Sequence, residues 1–132
     1  YGAAVNLLDN PYVSCQHSHW DFTDSLCGTK CPPEIHEFIM WGVCQECGRA
    51  KQADLAIYNN FDVREELKNI TCPVLLVRGE NVPEHYYDTA MQYLTNAKKL
   101  EFLKVPGYGH FIVVEAPEII CTEVDRFLTE AQ

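Results

Sequence analysis

No apolar run in the 132-residue chain approaches the ~18 residues that a membrane-crossing helix requires. Basic charge is also scarce: 10 lysines and arginines stand against 19 aspartates and glutamates, a formal charge of −9 at neutral pH. That balance argues against binding nucleic acid or an anionic membrane surface, since both demand a basic face. There is no basic-then-apolar leader, so no targeting signal is visible, and a soluble protein of unassigned compartment is expected. The chain opens on Tyr1 rather than methionine, which suggests a fragment or a processed chain. Serine is limited to Ser14, Ser18 and Ser25, none of them between glycines. These residues therefore contain no glycine-flanked serine elbow.

What is present is ordinary for a globular domain: 47% apolar and 22% charged residues. Cysteine is the exception. The seven cysteines are an odd number, and Cys15, Cys27, Cys31, Cys44 and Cys47 crowd the first half. Cys27-x3-Cys31 and Cys44-x2-Cys47 have the short spacing of zinc-ligand pairs, with His17 and His19 as substitutes. A spacing of three is also the packing period of a helix, and cysteine serves as a small apolar residue in cores. Buried or reduced thiols are therefore expected ahead of a disulfide or zinc, and neither a metal nor any other cofactor is expected.

Residues 1–32 read as irregular or lightly structured, with a turn at Asp9-Asn10-Pro11. Pro33 suits a first helical turn, and apolar Ile35, Phe38, Ile39, Val43 and Cys47 form a helical stripe over 34–47 that stops at Gly48. A second helix is expected over 52–58. Asp62 with Glu65 resembles a capping pair opening a short helix through Leu67. Val74-Leu75-Leu76-Val77, bounded by Pro73 and Gly79, reads as a strand buried on both faces. A helix over 84–94, a strand over 100–105 and a helix over 117–128 follow. Ile120, Val124, Phe127 and Leu128 are expected to face inward from that last helix. Strand, helix, strand, helix implies parallel strands, and two strands need more from elsewhere to make a stable sheet. Asn69-Ile70-Thr71 has the form of a glycosylation sequon, and at a strand entry it is read as chance. His36 and His85, beside Glu37 and Glu84, are read as surface residues.

The second strand runs into Pro106-Gly107-Tyr108-Gly109-His110-Phe111, and Glu115-Ala116-Pro117-Glu118 opens the last helix. Glycines flanking a turn allow backbone conformations closed to other residues and free a side chain to project. A histidine there can take up and give back protons.

Taken together, Leu67-x2-Ile70-x2-Pro73-x-Leu75-x3-Gly79, Gly109-His110 and Glu115-x-Pro117 resemble the C-terminal third of the α/β-hydrolase fold family. The resemblance covers about residues 62–131. It implies an α/β protein: a partial α/β-hydrolase-like parallel sheet with a helical lid, completed by a missing upstream segment. Residues 1–61 take the place of the lid and 62–132 that of the C-terminal core. By the same resemblance His110 is the catalytic histidine, acting on an ester, lactone or related small acyl substrate. Trp20, Trp41, Tyr108 and Phe111 are candidates to line the pocket.

Two departures stand out. The nucleophile must come from an upstream chain or subunit. Val82 stands where the family places its acid, and valine cannot orient an imidazole. Asp9 and Glu84 are the candidate replacements. The rival expectation is a non-catalytic binding or interaction protein of the same fold.

Overall fold

The computed structural model describes residues 15–130. Three helices come first: α1 (Cys15–Leu26), α2 (Pro33–Gln45) and α3 (Gly48–Asn60). A 3₁₀ helix (Arg64–Asn69) leads to β1 (Val74–Gly79), α4 (His85–Tyr93) and β2 (Leu100–Val105). The short α5 (Ile112–Glu115) and the long α6 (Pro117–Glu130) finish the chain. The architecture is α/β: helices with a small sheet in which β1 and β2 pair in parallel, Val74 opposite Leu100 through Gly79 opposite Val105. No helix among the described residues is long and apolar enough to cross a membrane.

The chain divides into two compact units. One holds residues 15–27 and 32–62; the other takes Gly28–Cys31 and residues 63–130. In the first unit α1 packs on α2, and Ile39, Met40 and Val43 are buried. Lys51 is buried too, its ammonium donating to the Val43 carbonyl at 2.5 Å in the last turn of α2. A cation at that end satisfies a carbonyl left without a helical partner and meets the negative pole of the helix.

In the second unit Val105, Ile112 and Ala116 form the core, with Val77, Leu103, Tyr108, Ile119 and Ile120 packed around them. A polar clip ties the sheet to α6. Arg126 donates to Glu101 (2.7 Å), Glu123 (2.9 Å) and Glu130 (2.9 Å), and the Lys99 ammonium lies 2.5 Å from Glu101 and 3.1 Å from Glu130.

Several local expectations need correction. Residues 15–26, read as irregular or lightly structured, form a regular helix whose inward side carries Phe22, Thr23 and Leu26, of which the polar threonine is the one fully buried. Gly48 begins α3 rather than ending α2, whose cap is the extended Glu46. Cys47 therefore lies outside the α2 stripe, and both Cys44 and Cys47 are exposed. The 3₁₀ helix opens at Val63 with no side-chain cap. β1 is half-buried over Val74–Val77 rather than buried on both faces. On α6 the inward residues are Ile119, Ile120 and Phe127, while Val124 and Leu128 are exposed.

Two outcomes follow. Phe127→Ala should destabilise the protein by about 3 kcal/mol through loss of buried contacts and a residual cavity, and Leu128→Ala by about 0.5 kcal/mol or less, measured by urea unfolding. In the clip, Arg126 and then Lys99 hold the Glu101 carboxyl below its ordinary 4.5, and Lys99 and then Arg126 do the same for Glu130. Stability from depressed carboxylates is complete above the unfolded value and is lost as pH falls through the lower folded values. Thermal unfolding from about pH 6 to about pH 3 should therefore show an acid decline that Glu101→Gln makes shallower.

Candidate functional site

The loop between β2 and α5 carries His110 at the carboxyl end of a parallel strand. Its shape is imposed by hydrogen bonds, because its backbone turns away from the sheet and loses ladder partners. Glu115, 3% exposed, is the buried carboxylate among the groups that supply them. One of its oxygens accepts from Gly28 N–H at 3.0 Å and Gly109 N–H at 2.8 Å; the other accepts from Phe111 N–H at 3.2 Å. Glu80, just past β1, accepts from Gly107 N–H at 2.7 Å, while its own N–H donates to the Tyr108 carbonyl at 2.6 Å. Two carboxylates thus take up donors on both sides of the turn.

A third clamp is the short strap Gly28–Cys31. Lys30 N–H donates to the Gly107 carbonyl at 2.8 Å, the Thr29 hydroxyl reaches the same carbonyl at 3.4 Å, and the Lys30 ammonium donates to Pro106 at 3.2 Å. That ammonium also lies 6.0 Å from the Tyr108 ring centroid, within cation–π range. Gly107 sits at φ +86°, a conformation that glycine adopts without penalty. Gly109, expected to be its counterpart, does not have a positive φ. Close approach instead demands a glycine on the facing strand: a Cβ at Gly79 would collide with the Tyr108 and Gly109 backbone oxygens.

The side chain this scaffold presents is exposed. His110 stands edge-on to Phe111, ring centroids 5.3 Å apart, and among the described residues no carboxylate is hydrogen-bonded to it. Tyr108 is half-buried against the core. Glu84, a candidate acid, is held by Arg78 at 2.9 Å and lies 3.8 Å from the Lys104 ammonium. Val82, at the usual acid position, gives its backbone carbonyl to Arg78. Asp9 lies outside the described residues.

The chain matches no family model, no curated protein and no solved structure. What it does is therefore a matter of its own chemistry. No group of three or more histidine, cysteine, aspartate or glutamate side chains among the described residues could hold a metal ion. Trp20 and Trp41 belong to the helical unit; Trp41, 60% exposed, stacks on Phe38 at 6.1 Å between centroids. His36, read as a surface residue beside Glu37, makes an exposed hydrogen bond with Asp24 at 2.6 Å. His85 packs against the Tyr86 ring at 4.2 Å.

Sequence reasoning missed the two holding carboxylates and the strap. Glu115 had a visible signal: an acid set between Ile112-Val113-Val114 and Ala116 must be either exposed or buried with donors. The strap had none, since Gly28-Thr29-Lys30 meets the loop across some 78 residues of chain.

Leaving the donors of Gly28, Gly109 and Phe111 without acceptors should make Glu115→Ala less stable by about 3 kcal/mol. Glu115→Gln, which keeps one acceptor oxygen and turns an amide donor toward the rest, should fall between wild type and alanine. Amide hydrogen exchange should report early opening at Gly109 and Phe111 in both variants.

Proposed function

We propose that this chain contributes the catalytic histidine and the lid of an α/β-hydrolase-like enzyme acting on an ester, lactone or related acyl substrate. The observation that carries the reading is the loop: an exposed imidazole beyond the carboxyl end of a parallel strand, on backbone clamped by Glu115 and Glu80. Reacting groups in open α/β sheets gather beyond those strand ends. A clamped loop also meets the requirement that a general base be held in place before the reaction begins.

In this reading His110 removes the proton of a serine hydroxyl or water as it attacks the acyl carbon, then returns that proton to the leaving group. The nucleophile resides on an upstream segment, consistent with the lack of a glycine-flanked serine here. That segment completes the sheet along the outer edge of β1. Residues 1–61 take the lid's role, and on the sheet unit Tyr108 and Phe111, the neighbours of His110, bound the acyl group.

A non-catalytic binding or interaction protein of the same fold is the second reading. It is favoured by one observation: Glu84 is engaged by Arg78 and Lys104, and no other described carboxylate orients His110.

The test is ester turnover by the full-length protein. His110→Ala should lower kcat about 10³-fold with the fold intact by circular dichroism, the usual cost of losing a general base. Undiminished turnover would overturn the catalytic reading, and a wild-type protein inert toward acyl esters would favour the binding one.

A further inference from the structure

A recess of about 290 Å³ lies on the sheet unit, between α4 and the ends of both strands. It is lined by the cations Arg78 and Lys104, the carboxylates Glu84 and Asp88, and Tyr87, Met91 and Phe102. Arg78 stands opposite Lys104 in the strand register, so two cations share one end of one sheet face. Tyr87 and Phe102 meet edge-on at 4.6 Å and supply an aromatic wall, and Met91, 60% exposed, extends it.

The bonding of Arg78 is incomplete in a specific way. This side chain is only 8% exposed. Its Nη1 donates to the Val82 carbonyl, its Nη2 donates to Glu84 Oε1 at 2.9 Å, and the Tyr87 ring lies 4.7 Å from the guanidinium carbon. Its Nε is buried and has no hydrogen-bond partner. A buried unsatisfied donor is costly, and guanidinium groups satisfy Nε and Nη2 together by taking both oxygens of one carboxylate. Glu84 fills only one of those two positions. Its side chain is 76% exposed, so it is tethered by an ion pair that solvent weakens.

We infer that this recess binds a small organic carboxylate with an apolar body. The ligand carboxylate displaces Glu84, takes Nε and Nη2 of Arg78 as a bidentate pair and gains the charge of Lys104. Its hydrocarbon portion lies along Tyr87, Phe102 and Met91. Glu84 acts as an internal competitor that covers the site when no ligand is present. The inference is independent of the catalytic reading, since none of these residues belongs to the His110 loop.

The test is titration of the full chain with 3-phenylpropanoate, followed by NMR of the Met91 methyl and the Arg78 Nε–H. 3-Phenylpropanol serves as the neutral isostere and inorganic phosphate as the anion without an apolar body. Saturable shifts with the acid, and at least about tenfold weaker ones with the alcohol or phosphate, are expected from a charge-assisted bidentate contact plus apolar burial. Glu84→Gln should tighten binding about threefold to fivefold by removing the competitor. Lys104→Gln should weaken it, and Arg78→Lys, which keeps charge and loses the fork, should weaken it further. If Arg78→Lys fails to fold, the two exposed substitutions decide the matter. Equal binding of acid and alcohol, shifts absent from Met91, or no tightening in Glu84→Gln would each overturn the inference.

Discussion

Three backbone N–H groups, from Gly28, Gly109 and Phe111, converge on the single buried carboxylate of Glu115, and the conformation of the histidine loop depends on that convergence. Burying a carboxylate is costly unless donors replace the water it loses. Each of those three donors would in turn be unpaired without it. The two requirements cancel only in one geometry, so the loop has little freedom to relax. Glu115 is also the last residue of α5, one step before the alanine and proline that lead into α6. The same contact therefore couples the turn to the final helix.

The other holding contacts come from parts of the chain far apart in sequence. Glu80 brings the end of β1 to the loop, and Gly79 lets that backbone approach where any side chain would collide. The Gly28–Cys31 strap adds donors to the Gly107 and Pro106 carbonyls. Lys99 and Arg126 fasten the sheet to α6 through Glu101 and Glu130. The result is a stiff support beneath an imidazole that is itself exposed. The supporting contacts hold the backbone of the loop, while the His110 ring touches Phe111 edge-on.

The helical unit is built differently. Among its described residues few are buried, and Phe38, Trp41, Ile57, Tyr58 and Phe61 are exposed. Cysteine-based expectations concerned this unit most, and there the structure altered them. The helix break at Glu46 removes Cys47 from the α2 stripe, and Cys44 is exposed within that helix, so neither cysteine serves as a core residue. No metal-binding cluster forms among the described residues.

What the sequence determined by itself was local. Apolar periodicity, proline at helix starts and glycine in the turn place α2, β1, α4, β2 and α6 within a few residues, because those signals act over one or two turns of chain. Parallel pairing follows from strand–helix–strand order, since a helical crossover brings the second strand back in the same direction. The turn at Gly107 was legible for the same reason. Tertiary structure alone decided which groups meet. That Glu115 is buried, that Glu80 holds the turn, that Glu84 is bound by Arg78 and Lys104, and that α1 is a helix with a buried threonine all depend on neighbours distant in sequence. Hydrogen-bond satisfaction is a property of the folded environment: a carboxylate reads the same in sequence whether solvent or three buried amides complete it.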